Sequence, residues 1–167
     1  PEPEELNDFE LGWRFTSEKS TFLANLYYMD YTNQLVLTGA INDVGAPLRE
    51  NVGKSSRLGI ELEGNFALSS RWSWQPNITL SNNQNHDFYF ERDGRLTDLG
   101  NTKLSYSPAV VTANIIAFLP TDDWRIAVLT KHVGDQYMGN IDAELSKLKA
   151  YTVTDLNVSY RMVPKSL

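Results

Sequence analysis

The sequence predicts an all-β fold, an antiparallel meander of about seven long strands. Two observations carry this prediction. Apolar and polar residues alternate through 9–15, 57–63, 72–81 and 156–161, whereas stripes with the helical period of 3.6 residues are scarce. The alternating segments are also long, because the longest predicted strand, 20–38, has 19 residues. A strand of a soluble protein typically has ~5–6 residues.

Seven segments are predicted as strands, and most of them show two unlike faces. In chain order they are 6–16, 20–38, 52–68, 71–84, 107–119, 124–138 and 149–162. The fifth is the least regular, because 110–119 is nearly all apolar and leaves a helix open. Its β-branched residues favour a strand.

The connections between these strands alternate between tight and long. Tight turns are predicted at 17–19, 69–70, 120–123 and 163–166, and long loops at 39–51, 85–106 and 139–148. Short turns at one end and long loops at the other are typical of transmembrane β-barrels, whose strands need ~9–11 residues to cross a membrane. The sequence therefore predicts a segment of a transmembrane β-barrel.

Aromatic residues flank the tight turns on the apolar face of the predicted strands. They are Trp13, Phe15, Phe22, Phe66, Trp72, Trp74, Phe118, Trp124 and Tyr160. Aromatic rings with a polar edge favour the headgroup level of a bilayer, and membrane barrels carry girdles of them. A soluble sandwich or a lipocalin-like barrel is the alternative, but it accounts poorly for three successive turns flanked in this way.

The polar face of the same strands would then line the lumen of the barrel. Its residues are Glu10, Arg14, Asn25, Arg57, Glu61, Glu63, Asn65, Gln75, Asn77, Thr79, Asp155, Asn157 and Arg161. Glu61 and Glu63 lie two residues apart, as general acid and base pairs sometimes do. We expect them instead to pair with Arg57, Arg14 or other lumen cations.

Seven strands do not make a whole membrane barrel. The smallest usual bacterial barrel has one strand more, and such barrels have an even number of strands. Lipid does not tolerate the unpaired backbone of an open edge. We therefore expect residues 1–167 to form a single fragment of a larger barrel domain.

Composition and spacing disfavour several other functions. A net charge of −6 argues against nucleic-acid binding, and the absence of cysteine excludes thiolate chemistry. His86 and His132 lack a metal-ligand spacing, and no nucleophile occurs with a matching base. The acidic residues of 85–106 do not match a calcium loop, so a solvated loop is favoured. We therefore predict no catalytic residue, no metal ligand and no cofactor.

Several segments resemble TonB-dependent outer-membrane receptors. Residues 26–39 resemble a late barrel strand of this family, and residues 51–63 are similar to its next strand, where the pattern N-x-G-x-S-x-x-x-G-x-E recurs. Further matches are 3–4 with 9–12, 133–137 and 151–161. The resemblance spans nearly the whole chain, and the combined order of these segments is what makes it specific.

The resemblance implies a 22-stranded barrel with an N-terminal plug domain. Such receptors import iron-siderophores, haem, cobalamin or glycans with energy relayed by TonB. The implied location is the outer membrane of a Gram-negative bacterium. The implied partners are the plug domain, the remaining strands, TonB, outer-membrane lipid and a small-molecule ligand, with no nucleic acid. This chain would belong to the C-terminal third of the barrel, without the plug, the TonB box or the closing strand.

Candidate ligand-binding residues come from the lumen face and from the longest loop. They are Asn25, Arg57, Glu61, Asn77, Phe88 and Tyr89. The aromatic run 88–90 can contact a ligand or pack its loop, and both interpretations stay open. The alternative function is a structural or adhesive β-protein, soluble or surface-attached, without a transport role. A barrel enzyme is a third hypothesis, and it lacks a nucleophile–base pair.

Overall fold

The computed structural model describes residues 2–92 and 95–162 and contains an antiparallel meander. Seven strands form its main sheet in the order β1-β2-β3-β4-β8-β9-β12, and the short β7 also pairs with β4. Two small hairpins, β5-β6 and β10-β11, stand apart from this sheet. The strands are β1 (Glu5–Thr16), β2 (Ser20–Ile41), β3 (Pro47–Ala67), β4 (Trp72–His86), β5 (Tyr89–Arg92), β6 (Arg95–Asp98), β7 (Thr102–Lys103), β8 (Val110–Phe118), β9 (Trp124–Val133), β10 (Gln136–Tyr137), β11 (Lys147–Leu148) and β12 (Tyr151–Tyr160).

The predicted all-β meander is confirmed, including its ambiguous fifth strand, which is β8. The regular helical structure within the described ranges is one 3₁₀ turn, Glu144–Ser146. No helix in this part of the chain is long and apolar enough to cross a membrane. The predicted tight turn at 163–166 lies outside the described residues.

The long loop predicted at 39–51 is wrong. Strands β2 and β3 continue through it, and only residues 42–46 connect them. Asn42 closes the connection, because its side-chain oxygen accepts the amides of Val44 and Ala46 at 3.1 and 2.9 Å. Gly45 supplies the positive φ of 80° that the tight turn needs. Pro47 is the first residue of β3, a position at which a strand tolerates proline.

The strand predicted over 124–138 is also shorter in the structure. β9 ends at Val133, and the next two residues break the ladder. Residues Gln136–Tyr137 then pair with Lys147–Leu148 in a separate hairpin.

Cross-strand register sorts the side chains into two faces that differ in polarity. Leu11, Leu26, Ile60, Leu80 and Val110 align across five neighbouring strands on what we call the outer face. Much of this surface is open in the described structure, as the 73% exposure of Leu11 shows. Burial of apolar area is the main stabilising term in water. A sheet with this face uncovered therefore needs apolar surroundings.

The aromatic residues of the outer face meet in pairs beside the tight turns. The centroids of Trp72 and Phe118 lie 4.5 Å apart, and those of Trp124 and Tyr160 lie 4.7 Å apart. Phe66 stacks on Trp74 in the same way, at 5.5 Å. These pairs form a belt at the short-turn end of the sheet, as expected for rings at a membrane interface.

Candidate functional site

The opposite face of the sheet, which we call the lumen face, carries an open concavity of about 350 Å³. Its floor is built from β1 to β4, and residues 106–108 approach it from the loop side. Three predicted site residues line it, namely Asn25, Arg57 and Glu61. Asn25 and Glu61 are direct cross-strand neighbours, because period-2 alternation places both on the same face.

A tyrosine ring divides this concavity. Tyr27 is paired with Gly59, and a Cβ atom at Gly59 would overlap the phenol ring. The ring therefore lies directly over the glycine backbone. Gly59 stands midway between Arg57 and Glu61 on one strand, so the tyrosine ring separates the guanidinium from the carboxylate.

Arg57 lies above this ring, toward the long loops. Its guanidinium carbon is 5.8 Å from the centroid of the Tyr31 ring, within the range of a cation–π interaction. Its Nε atom is buried and has no hydrogen-bond partner among the described residues. A buried donor without a partner carries a desolvation penalty of about 1–3 kcal/mol.

Two carboxylates line the same concavity, those of Glu10 and Glu61. Glu10 stands opposite Tyr27 on the neighbouring strand, and Glu61 lies two residues beyond Gly59 toward the tight turns. The ion pairs predicted for Glu61 and Glu63 with Arg57 or Arg14 do not form among the described residues. The four-residue spacing of Arg57 and Glu61 explains this for one pair, because it separates their backbones by ~13 Å.

Arg161 was predicted in the lumen but binds the third tight turn. Its Nη2 atom donates to the backbone oxygen of Asp122 at 2.9 Å and to the Asp123 carboxylate at 3.3 Å. The guanidinium therefore joins the end of β12 to the turn before β9. Alternation assigned Arg161 to the correct face of the sheet, but strand β12 ends one residue before it.

The structure separates the other candidates from this concavity. Asn77 lines a second open concavity of about 380 Å³ with Glu63, Asn65 and Gln75. Phe88 is only 7% exposed and packs on Leu104 and Ile141. Burial supports the interpretation that Phe88 packs its loop. Tyr89 is 53% exposed, and the side chain of Phe90 lies outside the described residues.

The two long loops are tied together into what we call the loop cap, residues 99–107 with 137–142. The backbone amide of Lys103 donates to the Asp142 carboxylate at 2.8 Å, and that of Ser105 donates to the Asn140 side chain at 3.0 Å. Tyr106 donates its amide to the backbone oxygen of Tyr137 at 2.8 Å. These bonds hold Tyr106 and the two residues after it against the concavity, which the sequence analysis missed.

Outside the sheet, an ion pair stabilises the base of the loop that connects β9 to β12. Asp135 accepts the backbone amide of Ala150 at 2.6 Å and contacts Lys147 Nζ at 3.1 Å. The amide hydrogen bond of Ala150 and then the lysine hold the pKa of Asp135 below its usual range. The Asp135 carboxylate in turn raises the pKa of Lys147.

Each histidine has a hydrogen-bond partner on a neighbouring strand. His86 Nε2 lies 2.7 Å from the Ser56 hydroxyl, and His132 Nδ1 lies 2.9 Å from that of Thr152. Across 2–92 and 95–162, no three His, Asp or Glu side chains are grouped so as to hold a metal ion.

Long antiparallel strands, an aromatic belt, an apolar outer face and a polar lumen face are the features of a segment of a transmembrane β-barrel wall. The family model "TonB dependent receptor-like, beta-barrel" matches residues 2–167. This chain therefore belongs to the TonB-dependent receptor family. No match was found among curated protein sequences.

Solved structures share the fold. The siderophore receptor PiuA from Acinetobacter baumannii superposes with a TM-score of 0.72 at 18% identity, over 97% of this chain and 23% of PiuA. The ferric yersiniabactin uptake receptor FyuA from Yersinia pestis gives 0.69 at 18% identity, over 94% of this chain and 22% of FyuA. The copper transporter OprC superposes with a TM-score of 0.73 at 17% identity, over 98% of this chain and 24% of OprC. The chain thus spans about a quarter of these proteins.

Membership sets the broad class of the protein. TonB-dependent receptors are transporters rather than enzymes, and their barrels reside in the outer membrane of Gram-negative bacteria.

Proposed function

We propose that this chain forms part of the barrel wall and the ligand-capture loops of an outer-membrane receptor that imports an iron chelate. The observation that carries the proposal is the lumen concavity beside the loop cap. It presents a cation, carboxylates, amides and hydroxyls to one open space, which suits a polar ligand. Neighbours described as siderophore receptors support the choice of an iron chelate.

The rest of the receptor belongs to the same proposal. A plug domain and further barrel strands complete the lumen, TonB supplies the energy, and outer-membrane lipid covers the apolar face. No catalytic step is required of this chain. Ligand capture uses the lumen residues Asn25, Arg57 and Glu61, with Tyr89 and the loop cap above them.

The test is uptake by intact cells. A strain lacking the native polypeptide is compared with the same strain carrying it, under iron limitation, with ⁵⁵Fe bound to a tris-catecholate, a tris-hydroxamate or citrate. We expect uptake of at least one chelate to require the polypeptide and to stop when TonB is removed. Equal uptake of all three chelates by both strains would contradict the proposal and favour a structural or adhesive role.

A further inference from the structure

β8 carries apolar residues on both of its faces. Ile116 and Phe118 lie on its outer face, whereas Ile115 and Ala117 lie on its lumen face. A strand with a nearly continuous apolar sequence is typically buried on both sides. Lipid covers the outer face alone, so the lumen face of β8 needs a second apolar partner.

The lumen face of β8 continues onto β9 as what we call the apolar strip. Its members are Val111, Ala113, Ile115 and Ala117 of β8 with Ala127 and Leu129 of β9. Ala117 and Ala127 are already buried within the wall, whereas the other four side chains are partly exposed in the described structure. Burial of such apolar surface is favourable in water. Because the strip points away from lipid, we expect its cover to come from inside the barrel.

The neighbouring wall differs from the strip in polarity. Gln75, Ile115 and Leu129 form one cross-strand row, so the lumen face changes from an amide to two aliphatic side chains within that row. Both open concavities, of about 350 and 380 Å³, are lined chiefly by residues of β1 to β4, and β8 closes one side of each. A polar ligand with its water fits the concavities, and an apolar protein surface fits the strip.

Two cations flank the apolar strip on β9. Arg125 and Lys131 share the lumen face with Leu129, and neither forms an ion pair among the described residues. Asp155 stands opposite Leu129 on β12 but pairs with neither cation. Charge complementarity therefore favours a cover that is apolar at its centre and carries carboxylates at its ends.

We propose that the plug domain of the native polypeptide packs on the apolar strip, so that the passage for the imported ligand opens on the β2–β4 side of the lumen. The inference rests on the proposed function and gives the two sides of the lumen different roles. Apolar contact keeps the plug on β8 and β9, because separating the two surfaces would expose both to water. Hydrogen bonds to the polar wall are exchanged for hydrogen bonds to water at little net cost.

The experiment measures how fast introduced cysteines react on the two sides of the lumen. This chain contains no cysteine, so Gln75→Cys and Leu129→Cys each place one reporter in it, and any cysteine elsewhere in the native polypeptide is first replaced by serine. A small, charged maleimide is added to cells that are importing a ferric chelate, and each rate is divided by the rate in denaturant. We expect Leu129→Cys to react about 10-fold or more slowly than Gln75→Cys, because a side chain buried in an interface reacts only when the interface opens.

Two further variants control for burial within the wall itself. Thr79 is partly exposed like Leu129 but lies on the polar side, so Thr79→Cys should react like Gln75→Cys. Lys131 is exposed in the described wall, so Lys131→Cys should be protected only if the plug covers the end of the strip. Lys131→Cys also serves as the reporter if Leu129→Cys does not fold, which the loss of the heat-dependent gel shift would show.

The strip reporters decide the inference. Rates at Leu129→Cys and Lys131→Cys that equal those on the polar side overturn it. Protection that appears only when the chelate is added also overturns it, because the ligand rather than the plug would then cover the strip.

Uptake by the same cells separates this inference from the proposed function. Normal chelate uptake together with equal labelling on both sides overturns the inference alone. If the cells import none of the chelates, the proposed function fails, and the assignment of a ligand passage fails with it.

Discussion

The ring of Tyr27 lies directly over Gly59 and leaves no space there for a side chain. A methyl group there would overlap the Tyr27 phenol, so Gly59→Ala must displace the ring that separates Arg57 from Glu61. We expect a loss of about 1–3 kcal/mol in the free energy of unfolding, the usual cost of overpacking. Chemical denaturation of the native polypeptide in lipid vesicles measures it.

Gly53→Ala is the control for this change. Gly53 lies on the same strand, and no atom comes within 4 Å of a Cβ built there. Its replacement should be neutral or slightly stabilising. Equal effects of the two substitutions would mean that the Tyr27 ring does not depend on the glycine.

Asp135 makes the stability of the loop between β9 and β12 depend on pH. The pKa of its carboxyl is lowered by the Ala150 amide and by Lys147, so the folded loop favours the charged form. The stabilisation is therefore complete above the ordinary pKa of 3.8 and is lost as the pH falls through the lowered folded value. Carbon-13 NMR of labelled aspartate should show a titration midpoint below 3.8 that moves up in Lys147→Ala. A midpoint insensitive to that substitution would contradict the role of the lysine.

The sequence predicted which face of the sheet carries three of the candidate residues but could not show what separates or joins them. Period-2 alternation was sufficient to bring Asn25, Arg57 and Glu61 to the lumen face. It could not reveal the ring of Tyr27 over Gly59, which depends on cross-strand register. The burial of Phe88 likewise needed Leu104 and Ile141, which come from distant parts of the two loops.

At the scale of elements, strand identity was predictable and strand ends were less so. Alternation identified most of the main strands because these have two unlike faces, whereas β8 was predicted from its β-branched residues. The extension of β2 and β3 through residues 39–41 and 47–51 was missed because Gly39, Gly45 and Pro47 resemble loop chemistry. A register shift between Leu37 and Ile41 lets the ladder resume beyond these residues.

The ladder between β3 and β4 contains a gap that the outer face covers. Pairing stops at Glu63↔Asn77 and resumes at Phe66↔Trp74, and Pro76, which has no N–H to donate, falls in between. The ring of Phe66 lies over Gly64 and reaches toward Pro76.

β8 carries a polar side chain where lipid is expected. Asn114 lies on the outer face with Ile116 and Phe118. It is four residues from the aromatic belt, which corresponds to a depth of ~10 Å in an apolar band ~25 Å tall. Asn114→Leu should therefore stabilise the barrel by about 1 kcal/mol, because an amide is costly in lipid. Unfolding in vesicles measures this change.

Asn157→Leu provides the contrast. Asn157 lies on the lumen face of β12 and accepts the Ser159 hydroxyl at 3.1 Å, so its replacement should bring no gain. If Asn114→Leu destabilises the protein while Asn157→Leu does not, the outer face of β8 contacts a polar partner rather than lipid.

At the scale of the whole molecule, the sheet is open at both sides. Within the described residues β1 pairs only with β2, and β12 pairs only with β9. Backbone N–H and C=O groups left unpaired in lipid each cost several kcal/mol. We therefore expect further strands to cover both edges in the membrane, as in the proposed larger barrel.

Closure of that barrel makes a prediction about the native polypeptide. An antibody to this chain should detect it in the outer-membrane fraction, at a size well above 18.9 kDa, the mass of the chain itself. Its gel mobility should change when the sample is boiled, because a closed barrel resists detergent until heat breaks its continuous hydrogen-bond ladder. A disulfide between cysteines introduced on β1 and on the strand that covers its edge should keep the barrel closed. The boiled sample should then keep the gel mobility of the unboiled one. A soluble band at 18.9 kDa, unaffected by boiling, would instead mean that the open apolar face is covered by something other than lipid.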